Sequence, residues 1–336
     1  MGGAVDRTLS LARRVALGTA TAAGALVVTA RTTPWPSALL IRAAFDRGAA
    51  RTSAALEKHV PADLVEVVDE AYDISSPDGR LDVFRPSRDE PLPTVVWVHG
   101  GAFVSGSKRD VANYLRVLAA RGLTTVGVDY SIAPGARYPT PVRQVAAALA
   151  HLVDHADRLG VDPGRLVLAG DSAGAQIAAQ VALLVTDSAY AAELEIDVEL
   201  EPSSLRGLVL FCGAYDFTLA QGSSGLGRWF IDTAIWSYLG SRRGHDERTT
   251  RQGTVPLHVS PSFPATFVSA GNGDPLLPHT LGLVDVLGRH GVDHEVLLFP
   301  DEHEPRLGHE YQFDLDTREG REALDRAVAF IERVVG

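Results

Sequence analysis

The stretch Arg165-Leu166-Val167-Leu168-Ala169-Gly170-Asp171-Ser172-Ala173-Gly174 decides the fold. Its first half is a short apolar run, the signature of a strand buried on both faces. The Ala-rich run 173–185 that follows has the length and composition of a helix. Between them stands the pattern G-x-S-x-G. Composition alone produces that pattern by chance often enough to make it weak; the strand-turn-helix setting gives it weight. A strand that turns at once into a helix lifts the central serine above the sheet. The neighbouring backbone then passes too close for a Cβ, which explains the flanking glycines. Ser172 would stand at a helix N-terminus, where the helix dipole favours developing negative charge.

The same alternation extends in both directions. Continuous apolar runs at 94–98, 124–128, 208–212, 265–269 and 294–299 predict further strands. Helical spacing over 111–121, 141–159, 280–290 and 318–335 separates them. Strand and helix alternating from residue 94 onward predict an α/β fold, a mostly parallel sheet with helices on both faces. Residues 65–74 and 81–84 flank the turn Pro77-Asp78-Gly79 and predict an antiparallel hairpin at one edge of the sheet. Residues 37–59 predict a helix, with Leu39, Leu40, Ala43, Ala44 and Phe45 as candidate buried positions. Residues 217–256 break the alternation and read as loop and irregular helix carrying Trp229, Phe230, Trp236 and Tyr238. So long an excursion in a compact domain suits a cap over an active site.

Acyl-transfer chemistry explains the remaining motifs. A serine hydroxyl is a poor nucleophile at neutral pH, so it needs a base, and the base needs an orienting acid. The acid is expected at the end of a later strand. Asp274, in Gly273-Asp274-Pro275-Leu276, fits that place; Asp216 is the rival one strand earlier. The base is expected after the last strand, where His309 and His303 both lie. His303 stands among carboxylates in Asp301-Glu302-His303-Glu304 and is expected to be solvated, which favours His309. The tetrahedral oxyanion needs preorganised N–H donors. His99-Gly100-Gly101-Ala102-Phe103 follows the strand 94–98. The amides of Gly100 and Gly101, with that of Ala173, are the candidate oxyanion hole, and His99 is expected to organise the loop.

Together these residues resemble the hormone-sensitive-lipase-like group of microbial esterases and lipases. HGGAF, GDSAG, GDPLL and the segment Asp129-Tyr130-Ser131-Ile132-Ala133-Pro134, with Tyr138-Pro139 after it, carry the resemblance over residues 65–336. It implies the α/β-hydrolase fold, with a mostly parallel eight-stranded sheet and a helical cap built from residues 34–64 and from an insertion at about 217–256. It implies Ser172, Asp274 and His309 as the triad, and Gly100, Gly101 and Ala173 as the oxyanion hole. The chain departs from the group in two places. The histidine stands in His309-Glu310-Tyr311 where the group has H-G-F, and the loop before it is about five residues longer.

Composition narrows the partners. The net charge of −11 argues against nucleic acid, which needs a positive field. Cys212 is the only cysteine and reads as a buried packing residue; no Cys/His cluster has zinc-ligand spacing. The expected chemistry needs no metal and no cofactor. The expected substrate is a small-molecule or lipid ester, on short- to medium-chain acyl groups. Residues 1–33 form a weakly hydrophobic leader, with Arg13 and Arg14 before an uncharged run 15–30. Membrane anchor, soluble helix and cleaved signal peptide are its three readings, with secretion the least favoured. A membrane-associated lipase, an amidase and a thioesterase are alternatives on the same fold. A receptor without catalysis is disfavoured, because every triad member is present.

Overall fold

A computed structural model describes residues 32–88, 90–220, 224–241 and 247–336 of the chain. All but the last two residues of the leader, 32 and 33, lie outside the described residues. Among the described residues eight strands form one sheet: β1 (Leu64–Ala71), β2 (Arg80–Pro86), β3 (Leu92–Val98), β4 (Thr124–Val128), β5 (Val161–Asp171), β6 (Leu205–Phe211), β7 (Thr266–Ala270) and β8 (His294–Leu298). Their spatial order is β1-β2-β4-β3-β5-β6-β7-β8. The β1–β2 and β2–β4 pairs are antiparallel, and every other pair is parallel. The hairpin therefore occupies one edge, and the serine strand β5 lies near the centre.

Side chains alternate along the central strands and feed two cores. Val96, Val98, Leu166, Leu168, Leu208, Leu210 and Val268 face one side. There they meet helices α3 (Thr140–Asp154) and α5 (Ser172–Thr186), with α9 (Leu277–Arg289). Val95, Trp97, Val167, Ala169, Val209, Phe211 and Phe267 face the other side, against α2 (Lys108–Ala119) and α10 (Arg318–Val335). Apolar residues on both faces are why these strands read as unbroken runs in the sequence. Side-chain caps mark the starts of α2 and α10. Ser107 and Asp110 form a capping box on α2, and the Thr317 hydroxyl accepts the Gly320 N–H of α10 at 3.0 Å.

Three details correct the sequence reading. The helix expected over 141–159 breaks at His155 into α3 and the short α4 (Ala156–Leu159), and a further helix, α6 (Ser188–Leu194), follows α5. The excursion 217–256 contains a regular helix, α7 (Gly225–Leu239), and a shorter one, α8 (Glu247–Gly253). In α1 (Trp35–Leu56) only Ala38, Ile41 and Leu56 are buried. Leu39, Leu40 and Phe45, expected inside, are 49%, 67% and 38% exposed. The helix lies on the outside of the molecule and seats a narrow stripe, so apolar residues beside that stripe face outward. It packs against α7, with the rings of Phe45 and Phe230 5.6 Å apart.

Candidate active site

Strand β5 ends at Asp171 and α5 begins at Ser172, with no loop between them. So abrupt a change of direction puts Ser172 at φ +52°, a left-handed conformation that non-glycine residues adopt at a cost of about 1–3 kcal/mol. The glycines on either side are sterically required. A Cβ on Gly174 would lie 2.0 Å from the Val98 carbonyl oxygen, and one on Gly170 would lie 2.7 Å from the Gly174 carbonyl carbon. Without a side chain, Gly174 lets the elbow press against the end of β3, and Gly170 lets the strand end pass close to the first turn of α5.

The loop after β3 closes over Ser172. A Cβ on Gly100 would stand 3.1 Å from Cβ of Ser172 and 2.2 Å from Oδ2 of Asp171. Gly101 has φ +111°, and a Cβ there would meet the Ser105 carbonyl oxygen at 2.2 Å. Ala173 is the second residue of α5, where backbone N–H groups have no partner within the helix. The structure thus places Gly100 against Ser172, with Gly101 following it in the loop and Ala173 following the serine in α5. His99 is buried, and its ring stacks on Tyr130 at 4.3 Å. Burial pushes its pKa down to about 4, so the ring is neutral, and Nδ1–H donates to the Gly100 carbonyl at 2.8 Å. The Tyr130 hydroxyl donates to the His99 carbonyl at 2.8 Å. These contacts make His99 a support of the loop.

His309 joins the other two candidates. Its Nε2 lies 2.9 Å from Ser172 Oγ, and its Nδ1 lies 2.9 Å from Asp274 Oδ2. The carboxylate can only accept, so Nδ1 carries the proton and Nε2 is free to accept one from the serine. Oδ1 of Asp274 accepts the Leu276 N–H at 2.7 Å, which fixes the carboxylate plane. The rivals are elsewhere. Asp216 folds its carboxylate back onto the Thr218 N–H and hydroxyl at 2.8 and 2.6 Å. His303 is not solvated: its ring packs 4.9 Å from that of Phe299, and Nε2 lies 3.3 Å from Glu319 Oε1. The long loop is pinned by the buried Asn272. Its Nδ2 donates to the carbonyls of Pro300 and His303 at 3.1 and 3.0 Å, and its Oδ1 accepts the Leu307 N–H at 2.8 Å. That clamp is what delivers His309 to the serine.

Residues given no catalytic part by the sequence reading complete the electrostatics. Asp171 is 2% exposed; burial, then the neighbouring Glu310, raises its pKa well above the ordinary value, opposed by the Trp97 indole N–H. Glu310 sits at φ +60° and ψ +31°, the backbone position that the glycine of H-G-F would fill without strain. Its Oε1 lies 3.8 Å from His309 Nε2. Burial lowers the pKa of His309, but Cys212, the Asp274 hydrogen bond and Glu310 outweigh it and raise the pKa well above the usual histidine range. Cys212 is buried as expected, with φ +45°, and it lies against His309. The departure from H-G-F drew attention to Glu310, and Cys212 was read only as a buried packing residue; nothing in the sequence pointed to the electrostatic part of Asp171.

A cavity of about 330 Å³ opens between α1 and this cluster, lined among others by Ala44, Phe45, Gly100, His309, Glu310 and Phe313. The aromatic side chains expected from the cap take another place. Tyr238 of α7 is fully buried and stacks on Phe103 at 3.9 Å, behind the loop and away from the cavity lining. A serine hydrogen-bonded to a histidine, a carboxylate on the histidine's other nitrogen, and a glycine loop beside a cavity form an arrangement that suits acyl transfer.

Comparison with known proteins agrees with this architecture. A family model described as alpha/beta hydrolase fold matches residues 95–304. The chain is similar to a thermophilic and thermostable carboxylesterase cloned from a metagenomic library, at 25% identity and a TM-score of 0.70, covering 90% of this chain and 98% of that one. It is also similar in fold to esterase B of Lactobacillus rhamnosis (21% identity, TM-score 0.76, covering 89% of this chain and 96% of the other). The hyperthermophilic esterase of Pyrobaculum calidifontis is similar in fold as well (24% identity, TM-score 0.70, covering 88% and 91%).

Proposed function

This chain belongs to the alpha/beta hydrolase fold family, and we propose that it is a carboxylic-ester hydrolase working through Ser172, His309 and Asp274. The reading rests above all on His309, which holds hydrogen bonds to Ser172 and Asp274 at once, both 2.9 Å long. In the first step Ser172 Oγ attacks the ester carbonyl carbon while His309 Nε2 takes its proton. Asp274 orients the ring and stabilises the imidazolium. The amides of Gly100, Gly101 and Ala173 receive the oxyanion. The imidazolium then protonates the departing alkoxide, and the alcohol leaves an acyl-enzyme on Ser172. Water attacks that ester by the same path, and the acid is released.

We assign short- to medium-chain acyl esters as substrates. The cavity, about 330 Å³, is small, and Phe45 and Phe313 give it apolar walls. One of the similar structures, esterase B of Lactobacillus rhamnosis, is described with a tributyrin phosphonate inhibitor, an ester analogue with four-carbon acyl groups. The full-length chain is to be assayed on p-nitrophenyl esters from acetate to palmitate, beside Ser172→Ala. The reading expects a rate maximum at short to medium chains and its loss in the variant. A variant that keeps most of the activity would sink it.

One observation favours a second reading, a membrane-associated lipase. Trp35, Leu39 and Leu40 of α1 are 43%, 49% and 67% exposed immediately after the leader. Among the described residues, no single helix is long and apolar enough to cross a membrane. Co-sedimentation of the full chain with phospholipid vesicles, lost on replacing all three side chains by serine, supports that reading. An unchanged vesicle-bound fraction removes α1 from it.

A further inference from the structure

The chain's one cysteine stands against the histidine that accepts the serine proton. Cys212 follows β6 directly, and its N–H is tied to the Ser269 carbonyl on β7 at 2.8 Å. Its Sγ, one ring nitrogen of His309 and a carboxylate oxygen of Asp274 all lie within 4.8 Å of one another. These donors come from three separate segments, the ends of β6 and β7 and the loop after β8, so no sequence spacing announces them. A tetrahedral zinc ion with sulfur at about 2.3 Å and nitrogen or oxygen at about 2.0–2.2 Å sets its ligand atoms some 3–4 Å apart. The cluster needs only a small side-chain adjustment to reach that spacing.

The chemistry of the donors selects the cation. Thiolate, imidazole and carboxylate together suit a borderline-soft ion such as zinc or cadmium, and magnesium and calcium prefer oxygen alone. Access selects the direction of entry. Cys212 and Asp274 are buried, whereas the His309 side chain is 30% exposed and lines the cavity. The cluster is thus closed at the back and open towards solvent at His309, leaving a fourth position for water. Charge balances too: one dication meets one thiolate, one carboxylate and a neutral imidazole. A thiol binds such an ion as the thiolate, so binding releases its proton to solvent.

We propose that Cys212, Asp274 and His309 form an inhibitory site for a zinc-class divalent cation. The inference rests on the reading of His309 as the base. A metal on Nδ1 displaces the proton that donates to Asp274, and the neutral ring then carries its proton on Nε2. A metal on Nε2 occupies the accepting lone pair outright. In either arrangement His309 no longer accepts the proton of Ser172, and the enzyme stops before acylation.

Zinc chloride is titrated into the full-length protein during p-nitrophenyl butyrate hydrolysis, each variant being normalised to its own metal-free rate. Wild type is expected to lose activity at low metal concentration and regain it with EDTA. Cys212→Ala and Cys212→Ser should need at least about tenfold more zinc for the same inhibition. Cadmium chloride should add near-ultraviolet thiolate-to-metal absorbance to wild type and to Ser172→Ala, and none to the Cys212 variants. Thermal melting identifies a Cys212 variant that has not folded, and the other variant then carries the comparison. Equal zinc sensitivity in wild type and a folded Cys212 variant, or no thiolate absorbance in wild type, overturns the site. Absorbance in a protein without ester hydrolysis keeps the cation cluster and overturns the hydrolase reading instead.

Discussion

The indole N–H of Trp97 donates to Oδ1 of Asp171 at 2.7 Å, immediately before Ser172 in the chain. The other carboxyl oxygen, Oδ2, lies where a side chain on Gly100 would begin. Strand β3, the glycine loop and the serine elbow are therefore joined through one buried acid. Glu310 reaches the same acid from the loop after β8. The elements that must keep register for catalysis meet at Asp171 and not at Ser172 itself.

That burial gives stability a pH dependence of known sign. The folded state holds the Asp171 proton well above the carboxyl's ordinary value of 3.8, while the unfolded chain releases it there. Its contribution is present in acid and is lost as pH rises through the raised folded value. Asp171→Asn keeps an acceptor for Trp97 and removes the titration. The fall in melting temperature between about pH 5 and about pH 8 should be smaller in the variant than in wild type. An identical fall in both contradicts this account of Asp171.

On the proposed mechanism His309 must be neutral to accept a proton, so activity is expected above its pKa and lost below it. That pKa is raised, and the acid limb of kcat/KM should fall above the ordinary histidine value of 6.5. Glu310 is one of the groups that raise it, with Oε1 3.8 Å from Nε2. Glu310→Gln should move the limb to lower pH while leaving the maximum rate within about tenfold. The pH profiles of the two proteins decide the matter, and coincident limbs remove Glu310 from the electrostatics of the base.

Gly174→Ala tests the steric reading of the elbow. The new methyl would stand 2.0 Å from the Val98 carbonyl oxygen and 2.4 Å from that of His99. Backbone on both sides leaves no flexible atom to yield. The serine and the glycine loop must separate, and a displacement near 1 Å lowers kcat by about a hundredfold. The variant's kcat and melting temperature are the measurements. Wild-type values for both would mean that the elbow is not so tight.

A buried ion pair and an exposed one should behave differently. Lys108 is buried with Asp82, its Nζ 2.6 Å from the carboxylate. Lys108→Met strands that charge and should lower unfolding stability by about 3–5 kcal/mol in urea titrations. The exposed pair Arg228–Asp232 has similar geometry at 2.9 Å. Arg228→Ala should change stability by less than about 1 kcal/mol. Equal losses would contradict the role given to burial.

Periodic burial made most of the fold legible. Residues 124–128 are buried at every position and matched their strand without adjustment, because both faces are covered. Residues 318–335 matched their helix for the same reason that α10 buries one continuous stripe. Leu39, Leu40 and Phe45 misled, since helical spacing identifies an apolar face without saying whether anything covers it. The candidate triad was legible because Ser172, Asp274 and His309 each end or follow a strand, and the sheet topology gathers those ends. His303 was misread as solvated because the sequence around it does not show that Glu319, sixteen residues on, meets its ring. Asn272, Trp97 and Cys212 act through contacts that join distant segments, and local pattern carries no trace of these.

The most direct test of the central claim is covalent labelling. The full-length chain is incubated with a p-nitrophenyl alkylphosphonate, and the intact protein and its peptides are weighed by mass spectrometry. The account predicts one phosphonyl adduct per chain, on Ser172, formed in step with loss of ester hydrolysis and absent from Ser172→Ala. Full inactivation with the adduct on another residue, or hydrolysis that persists once Ser172 is fully labelled, would contradict it.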